Sequence, residues 1–246
     1  MSGVLYVVAT PIGNLKDITL RAVETLITVD LIACEDTRRT KILLVHYNIV
    51  KPCISFYSQN QFRKIPSLID ELKKGKNVAV VTDAGTPGIS DPGFFLVKKA
   101  IEEGIKVETV PGVSAVITAL SASGLPSDGF VFLGFLPRKK GKIKKVLEKV
   151  AELEKTIIFY ESPYRIKKTL EIISEVFPSD SDIVVCRELT KKFEEFIRGT
   201  VSDVIGKLPE KILGEITVLI STSKSRITAK CHCDPTQAEK QSTMLM

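Results

Sequence analysis

The segment VVTDAGTPGISDPG, residues 80–93, leaves an apolar β-branched run and enters a loop with more special backbone than a turn needs. Its last eleven residues hold three glycines, two prolines, Asp83 and Asp91, and the hydroxyls of Thr86 and Ser90. Glycine admits positive φ and lets the main chain approach a ligand closely. A glycine-rich loop between a strand and a helix is a common seat for a nucleotide or cofactor. Neither G-x-G-x-x-G nor G-x-x-x-x-G-K-[ST] is present, so the two standard phosphate-loop patterns are not met. The loop also lacks lysine and carries two carboxylates. That chemistry suits a neutral or cationic ligand held by carbonyls, hydroxyls and a carboxylate, and suits a phosphate poorly. An elaborate turn with no ligand is the competing reading.

Other clusters share this character. ATPIGNLKDIT, residues 9–19, joins an apolar run to a helical pattern through Pro11, Gly13 and Asn14. CEDTRRT, residues 34–40, sets Glu35, Asp36, Arg38 and Arg39 at the end of another apolar run. Loops at the carboxyl ends of parallel strands share one sheet edge, so residues 9–17, 34–40 and 83–93 are expected to converge. An exposed, salt-bridged turn is the plainer reading of the charged set at 34–40. In the second half, three strand ends are basic and aromatic. FLGFLPRKKGKIKK, residues 132–145, runs into Arg138, Lys139, Lys140, Lys142, Lys144 and Lys145. FYESPYR, residues 159–165, carries Tyr160, Glu161, Tyr164 and Arg165, and CRELTKKFEEFIRG, residues 186–199, carries Arg187, Glu188, Lys191 and Lys192. A charge run alone is usually a solvated helix face. Three basic strand ends beside aromatics suggest a groove for a polyanion with stacking partners.

The elements that must hold these loops read as short apolar runs alternating with helical patterns. Candidate strands are residues 3–9, 30–34, 53–57, 77–82, 106–110, 130–135, 156–161, 182–187 and 215–221. Between them, residues 60–74 place Phe62, Ile65, Ile69 and Leu72 on one helical face, and residues 164–177 do the same with Ile166, Leu170, Ile173 and Phe177. Such alternation implies βα units, an α/β fold and largely parallel sheets. Proline and glycine break the pattern at VPGVSA, residues 110–115, where Ser114 can cap the next helix. The expected division is an N-terminal α/β domain at 1–112, a C-terminal α/β domain at 113–224, and a disordered tail at 225–246.

Composition bounds the partners. Apolar residues make up 44% and charged residues 26% of the chain, the balance of a globular protein. No apolar run approaches the roughly 20 residues that span a bilayer, and no basic region precedes the first apolar run. A cytoplasmic protein with no membrane role is expected. The net charge of +6 is compatible with nucleic acid, acidic small molecules or membrane surfaces, and selects none of them. Five scattered cysteines do not form a disulfide framework. Cys231, His232 and Cys233 are adjacent, whereas a tetrahedral ion draws its ligands from separated pairs, so no metal is expected.

ATPIGNLKDITLRA, CEDTR, DAGTPGISDPG, PGVSA, GFLPRK, FYESPYR and RELTKKFEE occur in this order. With them, the chain from about residue 3 to 221 resembles the ribosomal RNA small-subunit methyltransferase I family, part of the tetrapyrrole (precorrin) methylase superfamily of class III methyltransferases. The resemblance implies two αβα domains with a cofactor cleft between them, assembled as a homodimer. It implies S-adenosyl-L-methionine as cofactor, and methylation of one cytidine 2′-hydroxyl in the decoding region of 16S rRNA within the assembled small ribosomal subunit. Cofactor contacts are implied for Asp83, Gly85, Thr86, Ile89 and Ser90, for Ser114 and Ala115, for Pro11 and Gly13, and for Tyr160 and Leu189 near the adenine. Residues 214–217, GEIT, begin the last strand beside the nucleoside. After Ile220 nothing matches the family, whose members can carry a further C-terminal helical piece.

For such a reaction a ribose hydroxyl is a very weak acid, and a general base is worth on the order of 10²–10⁴-fold. Glu35, Asp36, Glu161 and Glu188 are the candidates. Glu35 and Asp36 are preferred because their strand end should face both the cofactor loop and the open cleft. Loss of the proton to water is the alternative. Arg38, Arg138, Lys139, Arg165 and Arg187 are expected to neutralise RNA phosphates, and Tyr164 or Phe135 to stack on a base. Two rival functions stand beside this one. The first is methylation of a precorrin-type tetrapyrrole, against which CEDTR and FYESPYR argue. The second is a non-catalytic RNA- or adenosyl-ligand-binding module, against which the ionisable residues around the cleft argue.

Overall fold

The computed structural model describes residues 2–221. In its first half, β1 (Val4–Val8), β2 (Leu31–Cys34), β3 (Cys53–Ser55), β4 (Val78–Val81) and β5 (Lys106–Val110) form a parallel sheet in the order β3-β2-β4-β1-β5. Helices α1 (Leu20–Thr28) and α2 (Thr37–His46) bury Ala22, Leu26 and Leu44 against one face. Helices α3 (Gln61–Lys73) and α4 (Phe94–Glu102) bury Leu68, Leu72, Leu96 and Ala100 against the other. With both faces covered, every residue of β4 is buried, which is why its sequence is an unbroken apolar run. Side chains set the helix starts: Ala22 N–H donates to Thr19 Oγ1 for α1, and Arg38 N–H donates to the Asp36 carboxylate for α2. Phe62 departs from expectation. The inward stripe of α3 runs through Ile65, Leu68, Ile69 and Leu72. Phe62 falls off it and meets Phe95 on the surface, with ring centroids 4.9 Å apart.

The second half contains β6 (Phe130–Phe135), β7 (Thr156–Glu161), β8 (Asp182–Arg187), β9 (Glu195–Thr200) and β10 (Ile216–Ile220), in the order β6-β7-β10-β8-β9. Here the expectation of a largely parallel sheet is corrected. Only β6 and β7 run parallel; β10 is antiparallel to β7 and β8, and β8 is antiparallel to β9. β9 is a strand beyond those expected from sequence. Its link to β8, residues 188–194, is shorter than the dozen or so residues a parallel crossover needs, so the chain must turn back as a hairpin. Helices α6 (Lys140–Ala151), α7 (Ile166–Ser174) and α8 (Val201–Lys207) cover one face through Leu147, Ile166, Leu170 and Val204.

Helix α5 (Ala115–Ser123) follows the proline–glycine break and covers the other face, where Val116, Ala119 and Leu120 pack on Ile158, Val184 and Leu219. Ile12 joins the same cluster from the loop after β1. The carboxyl edge of the first sheet is thereby fixed against the second half. Ser114 holds the N-cap position of α5 but makes no side-chain capping bond, contrary to expectation. The expected tail 225–246 and the residues Cys231, His232 and Cys233 lie outside the described residues. Among the described residues, no group of His, Cys, Asp and Glu could hold a metal ion, and no helix is long and apolar enough to cross a membrane.

Candidate active site

The loops after β1, β2 and β4 converge on one edge. Thr10 N–H donates to Gly85 O at 2.9 Å, and Gly85 N–H donates back to Thr10 O at 3.0 Å. Thr10 Oγ1 donates to Thr82 O at 3.0 Å, Asp36 N–H to Asp83 Oδ1 at 3.0 Å, and Thr82 Oγ1 to Glu35 Oε2 at 2.9 Å. Gly85 has φ +86° and Ser90 has φ +66°. The first is a conformation glycine enters freely, and the second is uncommon for a residue with a side chain.

A cavity of about 300 Å³ opens between this edge and the second half, a size at the lower end of small-molecule sites. Ile12, residues 84–86 and 89–91, Ser114 and Ala115 line it from one side, and Phe135, residues 160–163 and residues 214–217 from the other. The last wall is held by a polar knot. Glu188 Oε1 accepts from Glu215 N–H at 2.9 Å and from Lys191 Nζ at 2.8 Å, and Lys191 Nζ also donates to Glu215 Oε2 at 2.9 Å. Gly214, at φ +93°, must be glycine there: a Cβ would lie 2.4 Å from Glu188 Cγ. Burial pushes the Asp91 carboxyl up to about 6, against the pull of the Thr82 hydroxyl, with the charges of Glu35 and Asp83 adding to the rise. Burial, followed by the charges of Asp91 and Glu215, pushes the Tyr160 phenol up to about 12. The site is thus partly dry and acidic.

The model of the Tetrapyrrole (Corrin/Porphyrin) Methylases matches residues 4–205. The ribosomal RNA small subunit methyltransferase I of Thermotoga maritima is 48% identical over 220 residues, covering 89% of this chain and 98% of the relative. Its counterpart in Bacillus subtilis is 49% identical over 224 residues, covering 91% of this chain and 76% of the relative. The chain belongs to the ribosomal RNA small subunit methyltransferase I family of tetrapyrrole methylases. Among solved structures, a diphthine synthase aligns with TM-score 0.70 at 15% identity, over 89% of this chain and 90% of that one. A cobalt precorrin-4 methyltransferase aligns with TM-score 0.66 at 20% identity, over 89% and 94%. These two show the methylase fold alone. The Thermotoga relative is matched nearly to its full length, so a methyltransferase of that name exists without a further C-terminal piece.

In this methyltransferase, Gly85, Thr86, Ile89, Ser90, Ser114, Ala115 and Tyr160 lie in the cavity wall. Pro11 and Asp83 do not; they line a smaller second cavity. The Asp83 side chain is drawn there by its bond to Asp36 N–H. Gly13 and Leu189 lie at the contact between the halves, where a Cβ on Gly13 would be 3.0 Å from Leu189 O and 2.4 Å from Lys191 Cγ. Residues 214–217, expected beside the nucleoside, also line this cavity, and Asp91 and Ile12 join them beyond the residues expected from sequence. Asp91 is visible in the sequence as the second carboxylate of the glycine-rich loop.

Three of the four candidate bases are occupied. Asp36 accepts from the Arg38 side chain at 2.7 and 3.1 Å and from its N–H at 2.8 Å, which holds the carboxyl near 2. Buried Glu161 accepts from Ser162 N–H at 2.7 Å and Thr169 Oγ1 at 2.6 Å and pairs with Arg165 at 3.3 Å. Glu188 belongs to the knot. Glu35, half-buried, accepts from the Thr82 hydroxyl as its one side-chain hydrogen bond among the described residues, and it is not among the cavity-lining residues. The basic residues divide similarly. Arg165 donates to Pro137 O at 2.8 Å, and Arg187 is tied to Glu195 at 3.0 and 3.1 Å. Arg38 is exposed but paired with Asp36. Arg138 and Lys139 are exposed and make no ion pair among the described residues.

Proposed function

We propose that the 300 Å³ cavity binds S-adenosyl-L-methionine, and that the enzyme methylates the 2′-oxygen of a cytidine in the decoding region of 16S rRNA. On this reading it acts on the assembled small subunit, in the cytoplasm, as a homodimer. One observation carries the cofactor assignment. The charged residues lining the cavity are Asp91, Glu161 and Glu215, with no lysine, arginine or histidine among them; Glu161 and Glu215 are paired with Arg165 and Lys191, and Asp91 makes no ion pair among the described residues. An acidic, partly apolar pocket with a positive-φ glycine in its wall fits a cationic ligand and disfavours a phosphate. The names of the relatives support the acceptor.

When bound, the cofactor supplies an activated sulfonium methyl group. The chain supplies position. Gly85 presents main chain, Asp91 places a carboxylate where a cationic group can meet it, and Ile12, Ala115 and Ile216 exclude water. Holding a hydroxyl in line with a donor accounts for roughly 7–11 kcal/mol of barrier. Asp36, Glu161 and Glu188 are committed to structural bonds and Glu35 does not line the cavity, so the 2′-hydroxyl proton leaves to water. Arg138 and Lys139 contact RNA phosphates. Replacing both with Ala should flatten the log–log salt dependence of binding to small subunits by about 0.7 for each phosphate that is no longer neutralised. Filter binding across a salt series measures it, and an unchanged slope would remove these residues from the interface.

The function is tested with labelled S-adenosylmethionine and three acceptors: unmodified small subunits, naked 16S rRNA and uroporphyrinogen. Label in subunits alone is expected. Label in uroporphyrinogen would favour the tetrapyrrole reading, and no label at all a non-catalytic binding module.

A further inference from the structure

A second cavity, of about 110 Å³, adjoins the first. Consecutive residues of two loops divide between them. Thr10, Pro11, Thr82 and Asp83 face the smaller cavity, while Ile12, Ala84 and Gly85 face the larger. One thickness of main chain, the bridge between Thr10 and Gly85, therefore separates the two. The small cavity has apolar walls from Pro11, Leu15, Ile42 and Leu43, with Arg39 and Asp83 at its polar side.

Those two charged groups have unused bonding capacity. Asp83 Oδ1 accepts Asp36 N–H at 3.0 Å, and Oδ2 is ion-paired with Arg39 Nε at 3.6 Å, a separation too long for a hydrogen bond. The Arg39 side chain is 61% exposed and makes no hydrogen bond among the described residues. Burial raises the Asp83 carboxyl above its ordinary range, while the Asp36 N–H works against the rise. The threonine hydroxyls above are different: Thr10 and Thr82 already donate, to Thr82 O and Glu35. Asp83 and Arg39 thus form an ion pair without a hydrogen bond between them, and their remaining acceptor and donors sit side by side in a slot on the scale of one heterocyclic ring.

We propose that this slot seats the base of the target nucleoside, a cytosine, with Asp83 and Arg39 reading its Watson–Crick edge. The inference rests on the RNA-methylation reading above. Unstacked RNA bases are recognised by contact with their faces and by hydrogen bonds to that edge. Cytosine offers an exocyclic amine, which a carboxylate accepts, and O2 and N3 acceptors for a guanidinium. Uracil would turn a carbonyl oxygen toward Asp83 instead, leaving two acceptors opposed. A site built around a donor on its ligand rejects the analogue lacking it.

The test uses reconstituted small subunits carrying either cytidine or uridine at the methylated position. Asp83→Asn keeps an Oδ1 acceptor for Asp36 N–H and puts an amide donor where Oδ2 stood. The kcat/KM ratio of cytidine to uridine subunits should fall about 10- to 100-fold in Asp83→Asn, with the uridine rate rising in absolute terms. Arg39→Ala should raise KM for both acceptors. Calorimetry with S-adenosylmethionine reports whether the cofactor seat has survived. An unchanged ratio, with or without loss of cofactor affinity, would overturn the proposal; loss of affinity would instead assign Asp83 to the cofactor. Label in wild-type reactions with an unchanged ratio sinks only this inference, whereas no label in wild-type reactions sinks the methylation reading and this one together.

Discussion

Gly85→Val is expected to lower the affinity for S-adenosylmethionine by at least about 100-fold, equivalent to ~2.7 kcal/mol. Gly85 sits at φ +86° with both its N–H and its C=O bonded to Thr10. A β-branched residue at positive φ is a genuine outlier, and such strain costs of order 1–3 kcal/mol. The added Cβ would meet Ile12 Cγ2 at 3.5 Å and Val113 O at 3.7 Å, which are ordinary contacts. On the proposed reading, the two γ-methyls take up space in the cavity that the ligand needs. Gly85→Ala should accordingly show a smaller loss, since it carries the strain without the branches. Calorimetry of folded variants measures both. Unchanged affinity in the valine variant would mean the ligand does not lie against this turn.

Asp91 gives the second large effect, with a defined sign. Its carboxyl is raised to about 6 by burial, so it is neutral below that pH and ionised above it. A cationic ligand needs the ionised form. Affinity for S-adenosylmethionine should therefore fall about tenfold between pH 7 and pH 5, one decade per unit below the carboxyl's midpoint. Asp91→Asn should bind weakly at pH 7 and lose that pH dependence. The stability effect runs the other way. A carboxyl whose folded value exceeds its unfolded one disfavours the ligand-free fold increasingly as pH rises from about 4 to 6. The melting temperature of ligand-free Asp91→Asn should thus exceed that of the wild type at pH 7. A variant that keeps both affinity and its pH dependence would show that another group holds the cation.

Much of the fold is legible because its signals are local. The all-apolar β4 announces a strand covered on both faces. The glycine and proline positions after β1 and β4 announce loops that meet. Pairing direction in the second sheet is not local: nothing within residues 195–200 says that they return beside β8. In the site, the carboxylate character of the ligand loop is readable, but the choice between Asp83 and Asp91 is not. That choice depends on the Asp36 N–H, a residue far away in the chain that captures Asp83. The same limit applies to charges. Arg165 and Arg187 read as free cations, yet Glu161 and Glu195 occupy them. Glu161 ends β7 and Arg165 precedes α7, so this pair forms across a turn and no helical spacing announces it in the sequence.

The central claim is methyl transfer to a cytidine 2′-oxygen from the cavity between the two halves. The most direct measurement is mass spectrometry of nucleosides released from small subunits after reaction with the enzyme and isotopically labelled S-adenosylmethionine. The label should appear in 2′-O-methylcytidine, and should be absent with Gly85→Val. Label on a base, on another nucleoside, or on no nucleoside at all would contradict it.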